Sequence, residues 1–408
     1  MTEAPAQGWS TWRTIVAFGF VSLLADMVYE GMRSISGPFL GTLGASALVV
    51  GIVTGAGEAM ALLLRLGTGP WADRSGRHWR LTVVGYALTA VCVPLLAIAP
   101  ALGTAGVAVA AALILCERAG KAIRSPSKSA LLARVASSGN MGKAFGVHKA
   151  LDQVGAFAGP LVVAGVAAAT GVLWPGFAVL AIPGALSLLV LAQLARRVPT
   201  LTVSEEPPVD AAENSHRSGL AGALGIDLPP RFHLFACASA LATAGLMTFG
   251  VISYRFVEEG LVPLAAAPLV YALAMLTAAV AALGTGFLFD RWGARVLYVV
   301  PLLVAVVPAL AFADRLALVL GGVALWGVAT GVLDSTVKAQ VAAVVPSHRR
   351  ATGYGVFAAV QGIGALAGGV VAGALVTRHL DALVVIVAGA QVVAMVLFAR
   401  SRLSGLST

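Results

Sequence analysis

The stretch from Glu117 to Gly165 reads ERAGKAIRSPSKSALLARVASSGNMGKAFGVHKALDQVGAFAGPLVVAG and decides how the rest of the chain is interpreted. It begins inside one apolar segment, crosses a short basic loop and ends inside another. Six ionisable residues fall where hydrocarbon-buried residues are expected, namely Glu117, Arg118, Lys121, His148, Lys149 and Asp152. An ionisable group at membrane depth is costly, so each of these residues is a candidate site residue.

The composition is that of a membrane protein. The 408 residues are 59% hydrophobic and 11% charged, and the mean hydropathy is +0.92. A soluble domain does not need so much apolar surface, so we expect the bilayer to be the solvent. The net charge of +9 fits loops that follow the positive-inside rule, and we expect no nucleic-acid partner. Cys92, Cys116 and Cys237 lie far apart in apolar runs and are interpreted as packing residues.

Twelve apolar runs are long enough to cross a bilayer, and they form two sets of six. Numbered as segments 1 to 12, they cover residues 12–37, 47–69, 81–99, 104–123, 142–168, 176–195, 232–256, 268–289, 296–313, 316–343, 352–376 and 382–399. The polar interval between the sets predicts a flexible linker. The sequence therefore predicts an all-α integral membrane protein with an N-terminal six-helix bundle at 1–196, a linker at 197–231 and a C-terminal bundle at 232–408.

The loop charges predict the orientation in the membrane. Lysine and arginine are concentrated after the even-numbered segments, at Arg74, Arg77, Arg80, Lys128, Arg134, Arg196, Arg197, Arg291, Arg295, Arg349, Arg350, Arg400 and Arg402. The loops after segments 1, 3 and 5 have no lysine or arginine, and those after segments 7, 9 and 11 have few. The positive-inside rule then places both termini in the cytoplasm. The start of the chain, MTEAPAQGWSTWR, is not typical of a cleavable signal peptide.

The two halves repeat each other. GPWADRSG ends segment 2 and GFLFDRWG ends segment 8. Further along, FGV followed by GAFAG in segment 5 corresponds to YGV followed by GALAG in segment 11. Six helices separate the repeats, so both halves have the same orientation. Parallel halves with a site between them at the midplane are a transporter design.

These repeated motifs resemble those of the major facilitator superfamily over essentially the whole chain. The loop after segment 2 matches the pattern G-x-x-x-D-R-x-G-R, and the echo after segment 8 departs from it at Ala294. The matching positions are Gly69, Asp73, Arg74, Gly76, Arg77, Gly286, Asp290, Arg291 and Gly293. The resemblance implies that this loop is a cytoplasmic gate, with Asp73 facing the cytoplasmic end of segment 11 in the outward-facing state. The simpler interpretation is that Asp73 and the arginines only fix the topology.

Segment 5 contains Gly155, Gly159 and Pro160, which is similar to part of the antiporter motif of exporting members; the simpler interpretation is tight helix packing. A finer resemblance, carried by ERAGKAIRSP, FGVHKALDQVGAFAGP and DMVYEGMRSISGPFL, is to the branch that includes bacterial nickel-resistance permeases. Two departures from that branch are Lys128 and Ser129, where an acidic segment is usual, and a C-terminus without a His-rich tail. The resemblance implies a multi-pass protein of the bacterial inner membrane, for which a monomer suffices.

The candidate site is the set of polar residues within the apolar segments, which we expect to line one cavity: Asp26, Glu30, Arg33, Glu58, Glu117, Arg118, His148, Asp152 and Gln361. Asp26 and Glu30 are the preferred proton-coupling pair, because two carboxylates one turn apart and partly desolvated have raised proton affinity. Arg118 and Lys121 have an alternative role in a structural ion-pair network that joins segments 4 and 5. Arg65 is expected to pair with Glu58 or to reach the interface.

The sequence thus predicts a secondary transporter, not an enzyme, with no cofactor and with protons as the energy source. The preferred hypothesis is a proton-coupled exporter, an antiporter, of a small organic molecule or drug. The second hypothesis is a divalent-metal exporter that uses Asp26, Glu30, His148 and Asp152 as ligands. The third is a non-transporting membrane sensor or scaffold. The sequence names neither the substrate nor the direction of transport.

Overall fold

The computed structural model describes residues 9–136, 141–198, 225–346 and 349–401, and within these ranges all regular structure is helical. Twelve helices are numbered here in chain order. The first half contains α1 (Thr11–Thr42), α2 (Ala47–Leu63 and Arg65–Ser75), α3 (His78–Leu95), α4 (Gly106–Val135), α5 (Met141–Thr170) and α6 (Trp174–Val179 and Ala181–Arg197). The second half contains α7 (Pro230–Leu246 and Phe249–Glu258), α8 (Ala267–Trp292), α9 (Val299–Ala311), α10 (Leu316–Val344), α11 (Arg350–Leu375) and α12 (Leu380–Arg400).

The number of membrane-spanning helices follows from the length of the apolar segments. Within the described residues, 11 helical segments are long and apolar enough to cross a membrane, and one of these, His78–Val135, has 58 residues. A 3-10 helix, Leu96–Ala105, joins α3 to α4, and Gly103 within it has a non-helical φ of 54° and ψ of −126°. The 58 residues therefore form two crossings, and the twelve helices predicted from the sequence are confirmed.

Helix α4 is longer than predicted. The sequence placed its end near residue 123 and assigned Lys128 to a basic loop, but the helix continues to Val135. Pro126 lies inside this helix. A proline within a transmembrane helix is tolerated where neighbouring groups satisfy the freed backbone. The extension is important because it places Arg124 and Lys128 on the same helix as Glu117.

Helix α7 is broken where a continuous helix was predicted. Met247 has a φ of 58°, a backbone conformation that is uncommon outside glycine. The indole N–H of Trp326 on α10 donates to the carbonyl of Leu246 at 2.8 Å, which satisfies one acceptor left free by the break. The second part of α7 starts at Phe249 and packs against α1 of the other half.

Equivalent helix pairs pack together in the two halves. Helix α1 packs against α5, and α7 packs against α11; likewise α3 packs against α4, and α9 against α10. The halves meet through α2 with α11, α5 with α8, and α1 with the second part of α7. This is the pseudo-symmetric arrangement that the repeated motifs predicted.

The two halves are closed against each other at the end of the bundle remote from the arginine-rich loops. A methyl group on Gly37 of α1 would collide with the carbonyl of Gly250 on α7, so the two backbones are in direct contact. The hydroxyls of Thr54 and Thr248 lie 2.7 Å apart. A methyl group on Gly51 of α2 would likewise collide with the carbonyl of Gly369 on α11. Small residues permit these contacts, and they seal this end.

The predicted linker falls mostly outside the described residues. The described chain stops at residue 198, just after α6, and resumes at residue 225. Asp227, just before α7, accepts two hydrogen bonds from the guanidinium of Arg349, one of them at 2.8 Å. The Arg349 hydrogen bond holds the pKa of the Asp227 carboxyl below its ordinary value. The end of the interval is thus tied to the start of α11. Arg402, one of the basic residues after segment 12, also lies outside the described residues.

Candidate functional site

A cavity of about 490 Å³ lies between the two halves. Its first-half wall holds the carboxylates of Asp26, Glu30, Glu58 and Asp152, and the basic groups of Arg33, Arg65, Lys121, Arg124, Lys128 and Lys149. Among the described residues of its second-half wall, one is charged, Asp334, and the others include Thr243, Met275, Trp326, Leu333 and Gln361. Lys149 and Asp334 are exposed, so the cavity opens toward the arginine-rich end. Charge is therefore concentrated on one wall.

An ion-pair network of three glutamates and three arginines joins α1, α2 and α4. The N–O distances along it are 3.2 Å for Arg33–Glu30, 3.0 Å for Arg33–Glu58 and 3.6 Å for Arg118–Glu58. It continues to Glu117, which lies 3.7 Å from Arg118 and 4.0 Å from Arg124. The six charges sum to zero. Burial of ionised groups requires such pairing, so we assign the network a structural role.

Aromatic and hydroxyl side chains complete this network. Glu117 is fully buried and accepts a hydrogen bond from Thr89 of α3 at 3.1 Å. The phenol of Tyr29 accepts a hydrogen bond from Arg118. Lys121 places its Nζ 3.5 Å from the centre of the Tyr29 ring and, among the described residues, has no carboxylate within 4.0 Å. The prediction that Arg118 is structural fits this arrangement, but the network joins α4 to α1 and α2, not to α5.

The contacts of two neighbouring residues, Arg65 and Glu30, differ from those expected from the sequence. Arg65 does not pair with Glu58, whose partners are Arg33 and Arg118. The Nε of Arg65 is buried and has no hydrogen-bond partner among the described residues, although Arg65 lines the cavity. Glu30 is not equivalent to Asp26: besides Arg33, it binds the phenol of Tyr271 on α8, a contact between the two halves.

Asp26 and Asp152 are the cavity carboxylates of the first half that stay outside the network. Asp26, on α1, is half-buried and forms no hydrogen bond or ion pair with a described residue. Asp152, on α5, has His148 at 3.8 Å, and its Oδ1 is buried without a hydrogen-bond partner. Both carboxylates line the same cavity. The coupling role that the sequence predicts for residues of this cavity stays a prediction for both of them.

His148 belongs to a packed polar cluster beside the cavity. Its Nε2 lies 3.2 Å from the hydroxyl of Ser22, which also receives a hydrogen bond from Lys128 at 3.0 Å and lies 3.1 Å from the Tyr86 hydroxyl. His148 is buried and does not line the cavity. This position fits the interpretation of a packed histidine.

The four proposed metal ligands do not form one group, although His148 and Asp152 are neighbours. Among the described residues, no group of three or more His, Cys, Asp and Glu side chains could hold a metal ion. Glu30 is bound by Arg33 and Tyr271, and His148 faces Ser22. The divalent-metal hypothesis therefore finds no supporting site among the residues that the structure describes.

Tight packing accounts for the glycines of α5. A methyl group on Gly155 would collide with the carbonyl of Leu23, and one on Gly159 with the carbonyl of Met27. These two carbonyls flank Asp26 on α1, and Asp152 lies one turn before Gly155 on α5. The close approach of the helices therefore places Asp26 and Asp152 on adjacent surfaces. Gln361, the counterpart of Asp152 in the repeat, donates to Thr243 at 3.2 Å and lines the cavity.

Several site residues were missed from the sequence. Tyr29 and Tyr271 gave no signal, because a tyrosine in an apolar segment is commonly a packing residue. Arg124 and Lys128 did give a signal in the sequence. They follow Lys121 at spacings of three and four residues, which place all three on one face of a helix. The predicted end of α4 at residue 123 concealed that pattern.

Comparison with known proteins agrees with the geometry. The sequence model of the Major Facilitator Superfamily matches residues 18–313 and 234–404. The chain belongs to the Major Facilitator Superfamily. An uncharacterized protein of Mycobacterium tuberculosis is 46% identical over 395 residues, covering 97% of this chain and 94% of that protein. An uncharacterized MFS-type transporter of Methanocaldococcus jannaschii is 25% identical over 380 residues, covering 89% and 88%.

Solved structures agree on the fold of this transporter. A crystal structure of the nucleoside transporter NupG superposes with a TM-score of 0.76 at 16% identity, covering 95% of this chain and all of that one. At this identity the likeness concerns the fold alone. Membership of the Major Facilitator Superfamily identifies a multi-pass membrane transport protein rather than an enzyme or scaffold. The finer resemblance to nickel-resistance permeases stays a prediction.

The gate motif of the superfamily has a clear backbone role here. Gly76 ends α2 with a φ of 60°, and Gly293 follows α8 with a φ of 59°, a left-handed conformation that favours glycine. A methyl group on Gly69 or Gly286 would meet open space, so packing does not require these two glycines.

The charged residues of the gate motif do not form a closed gate in this conformation. Asp73 and Arg74 are exposed, and neither pairs with a described side chain. Arg77 and Arg291 are exposed as well, and the side chain of Asp290 lies outside the description. The halves are closed at the other end, so the gate role of Asp73, expected in the outward-facing state, stays a prediction.

Proposed function

We propose that this secondary transporter is a proton-coupled exporter of a small organic molecule, with Asp26 and Asp152 as the groups that exchange a proton for the solute. The observation that carries the proposal is the state of these carboxylates. They line the cavity between the halves, outside the neutral Glu–Arg network. A carboxylate without a fixed counter-ion at membrane depth gains from binding either a proton or a positively charged solute.

The conformation supports alternating access about this site. The arginine-rich end, which the positive-inside rule places in the cytoplasm, is the end to which the cavity opens. An exporter loads its solute from that side. Proton release from Asp26 and Asp152 to the cytoplasm would then accompany solute binding, and rocking of the halves would expose the loaded site on the other side.

The test uses everted membrane vesicles from an efflux-deficient strain that expresses the protein. Respiration acidifies the vesicle interior, and acridine orange reports the pH gradient. We expect at least one compound in a panel of small amines, acids and zwitterions to dissipate the gradient, and we expect Asp26→Asn and Asp152→Asn each to abolish that response. Asp381→Asn is the matched control, because Asp381 is exposed and does not line the cavity.

Two outcomes would contradict the proposal. Full retention of solute-driven proton movement in the Asp26→Asn/Asp152→Asn double variant would show that the proton is carried elsewhere. A response to nickel, cobalt or zinc ions with none to any organic compound would restore the metal-export hypothesis, despite the lack of a metal site among the described residues.

A further inference from the structure

Charges of both signs line the cavity outside the Glu–Arg network. With the three arginines and three glutamates of the network set aside, four basic residues and three acidic residues line the cavity. Two of the basic residues, Lys121 and Lys128, are seven residues apart on α4 and therefore share one helical face. Two of the acidic residues, Asp26 and Asp152, lie on α1 and α5.

Among the described residues, these two groups of charges form no direct ion pair with each other. Within the described part of the chain, neither Lys121 nor Lys128 has a carboxylate oxygen within 4.0 Å. The nearest polar contact of Lys128 is the hydroxyl of Ser22, a neutral group. Charges that face the same low-dielectric cavity without direct pairing are costly, unless a ligand of complementary charge binds between them.

The second-half wall has a different chemistry. Met275, Trp326 and Leu333 offer apolar and aromatic surface, and the indole N–H of Trp326 is already bonded to a backbone carbonyl. Thr243 and Gln361 bind each other at 3.2 Å. A solute between the walls would therefore meet charge on one side and apolar surface on the other, a common pattern in small-molecule sites.

We propose that the transported solute is a zwitterion with an apolar body, for example an amino acid or amino-acid conjugate. Its ammonium group binds Asp26 and Asp152, its anionic group binds Lys121 and Lys128, and its apolar part faces Met275 and Trp326. The inference rests on the proposed function, because the ammonium group and the exchanged protons occupy the same two carboxylates. It adds the chemical class of the solute and the residues that bind its second charge.

The test compares three matched series of compounds by titration calorimetry on the purified full-length protein. Tryptophan, leucine and glycyl-tryptophan are the zwitterions; the N-acetyl derivative of each is the anion, and the methyl ester of each is the cation. We expect at least one zwitterion to bind at least ten-fold more tightly than both of its derivatives, because each derivative leaves one pair of cavity charges unmatched.

Variants assign the two ends of the bound solute. Lys121→Gln combined with Lys128→Gln should weaken zwitterion binding by about ten-fold or more, while Lys143→Gln, exposed on α5 and outside the cavity, should leave it unchanged. If the double variant is not monodisperse, Lys128→Gln alone replaces it, with the same expected direction.

Any of three results would overturn the inference: no zwitterion of the three series binds, an anion or a cation binds as tightly as its zwitterion, or the lysine variants bind as the wild type does. The vesicle assay separates this failure from failure of the proposed function. If other organic solutes move protons in an Asp26-dependent manner while the three series do nothing, the coupling carboxylates stand and the zwitterion class is wrong.

Discussion

At the scale of single residues, ion pairing distinguishes Glu117 from Asp26. Glu117 has no accessible surface, and its oxygens face Thr89, Arg118 and Arg124. In the sequence, Asp26 lies within an apolar segment just as Glu117 does. In the structure, however, Asp26 lines an open cavity and forms no ion pair with a described residue. The two carboxylates therefore have different surroundings, although both are acidic residues in apolar helices.

Replacing Glu117 should destabilise the fold. Glu117→Gln keeps the side-chain shape but leaves Arg118 and Arg124 short of one buried negative charge, and breaking a buried pair costs about 3–5 kcal/mol. We expect a clearly lower melting temperature in detergent. Glu259→Gln is the control, because Glu259 is exposed and pairs with Arg255 on the surface of α7, where an ion pair contributes about 1 kcal/mol or less. Equal melting temperatures for both variants would refute the structural role of Glu117.

At the scale of helices, the α1–α5 contact positions Asp26 and Asp152, the carboxylates proposed to exchange a proton. The glycines of α5 allow its backbone to touch the carbonyls of α1 on both sides of Asp26. A side chain at these positions would push the helices apart, and Asp152 would move away from Asp26.

Replacing glycine by alanine in α5 should therefore affect the stability of the protein differently at two positions. Gly159→Ala collides with the Met27 carbonyl and should lower the free energy of unfolding by about 1–3 kcal/mol. Gly165→Ala meets open space and should be neutral or slightly stabilising, because alanine has a higher helix propensity than glycine. Melting curves and size-exclusion profiles in detergent compare the two. Tolerance of Gly159→Ala would show that α1 and α5 are not in close contact.

At the scale of the whole molecule, the two halves close at one end and leave the cavity open at the other. The closing contacts are backbone to backbone, supplemented by the Thr54–Thr248 hydrogen bond and by the Glu30–Tyr271 contact at the cavity. Transport by rocking of the halves requires these contacts to break in every cycle.

A cross-link across the closed end should stop transport. Thr54→Cys with Thr248→Cys, made in a chain lacking Cys92, Cys116 and Cys237, places two thiols where the hydroxyls are 2.7 Å apart, a separation that a disulfide accommodates. Oxidation should abolish solute-driven proton movement, and reduction should restore it. Each single-cysteine variant should be insensitive to oxidation. Undiminished transport in the oxidised double variant would mean that this end does not open.

The sequence by itself determined the number of helices, the two halves and the family, because a bilayer requires apolar runs of a fixed length and the gate motif is local. It also found Asp26, Glu30, Arg33, Glu58, Asp152 and Gln361, since polar residues in apolar runs are conspicuous. Only the tertiary structure decided which of these charges are paired. Glu30, Glu58 and Glu117 meet their arginines through the packing of α1, α2 and α4, whereas Asp26 and Asp152 face the cavity. Partners on different helices are chosen by three-dimensional proximity, which no local pattern contains.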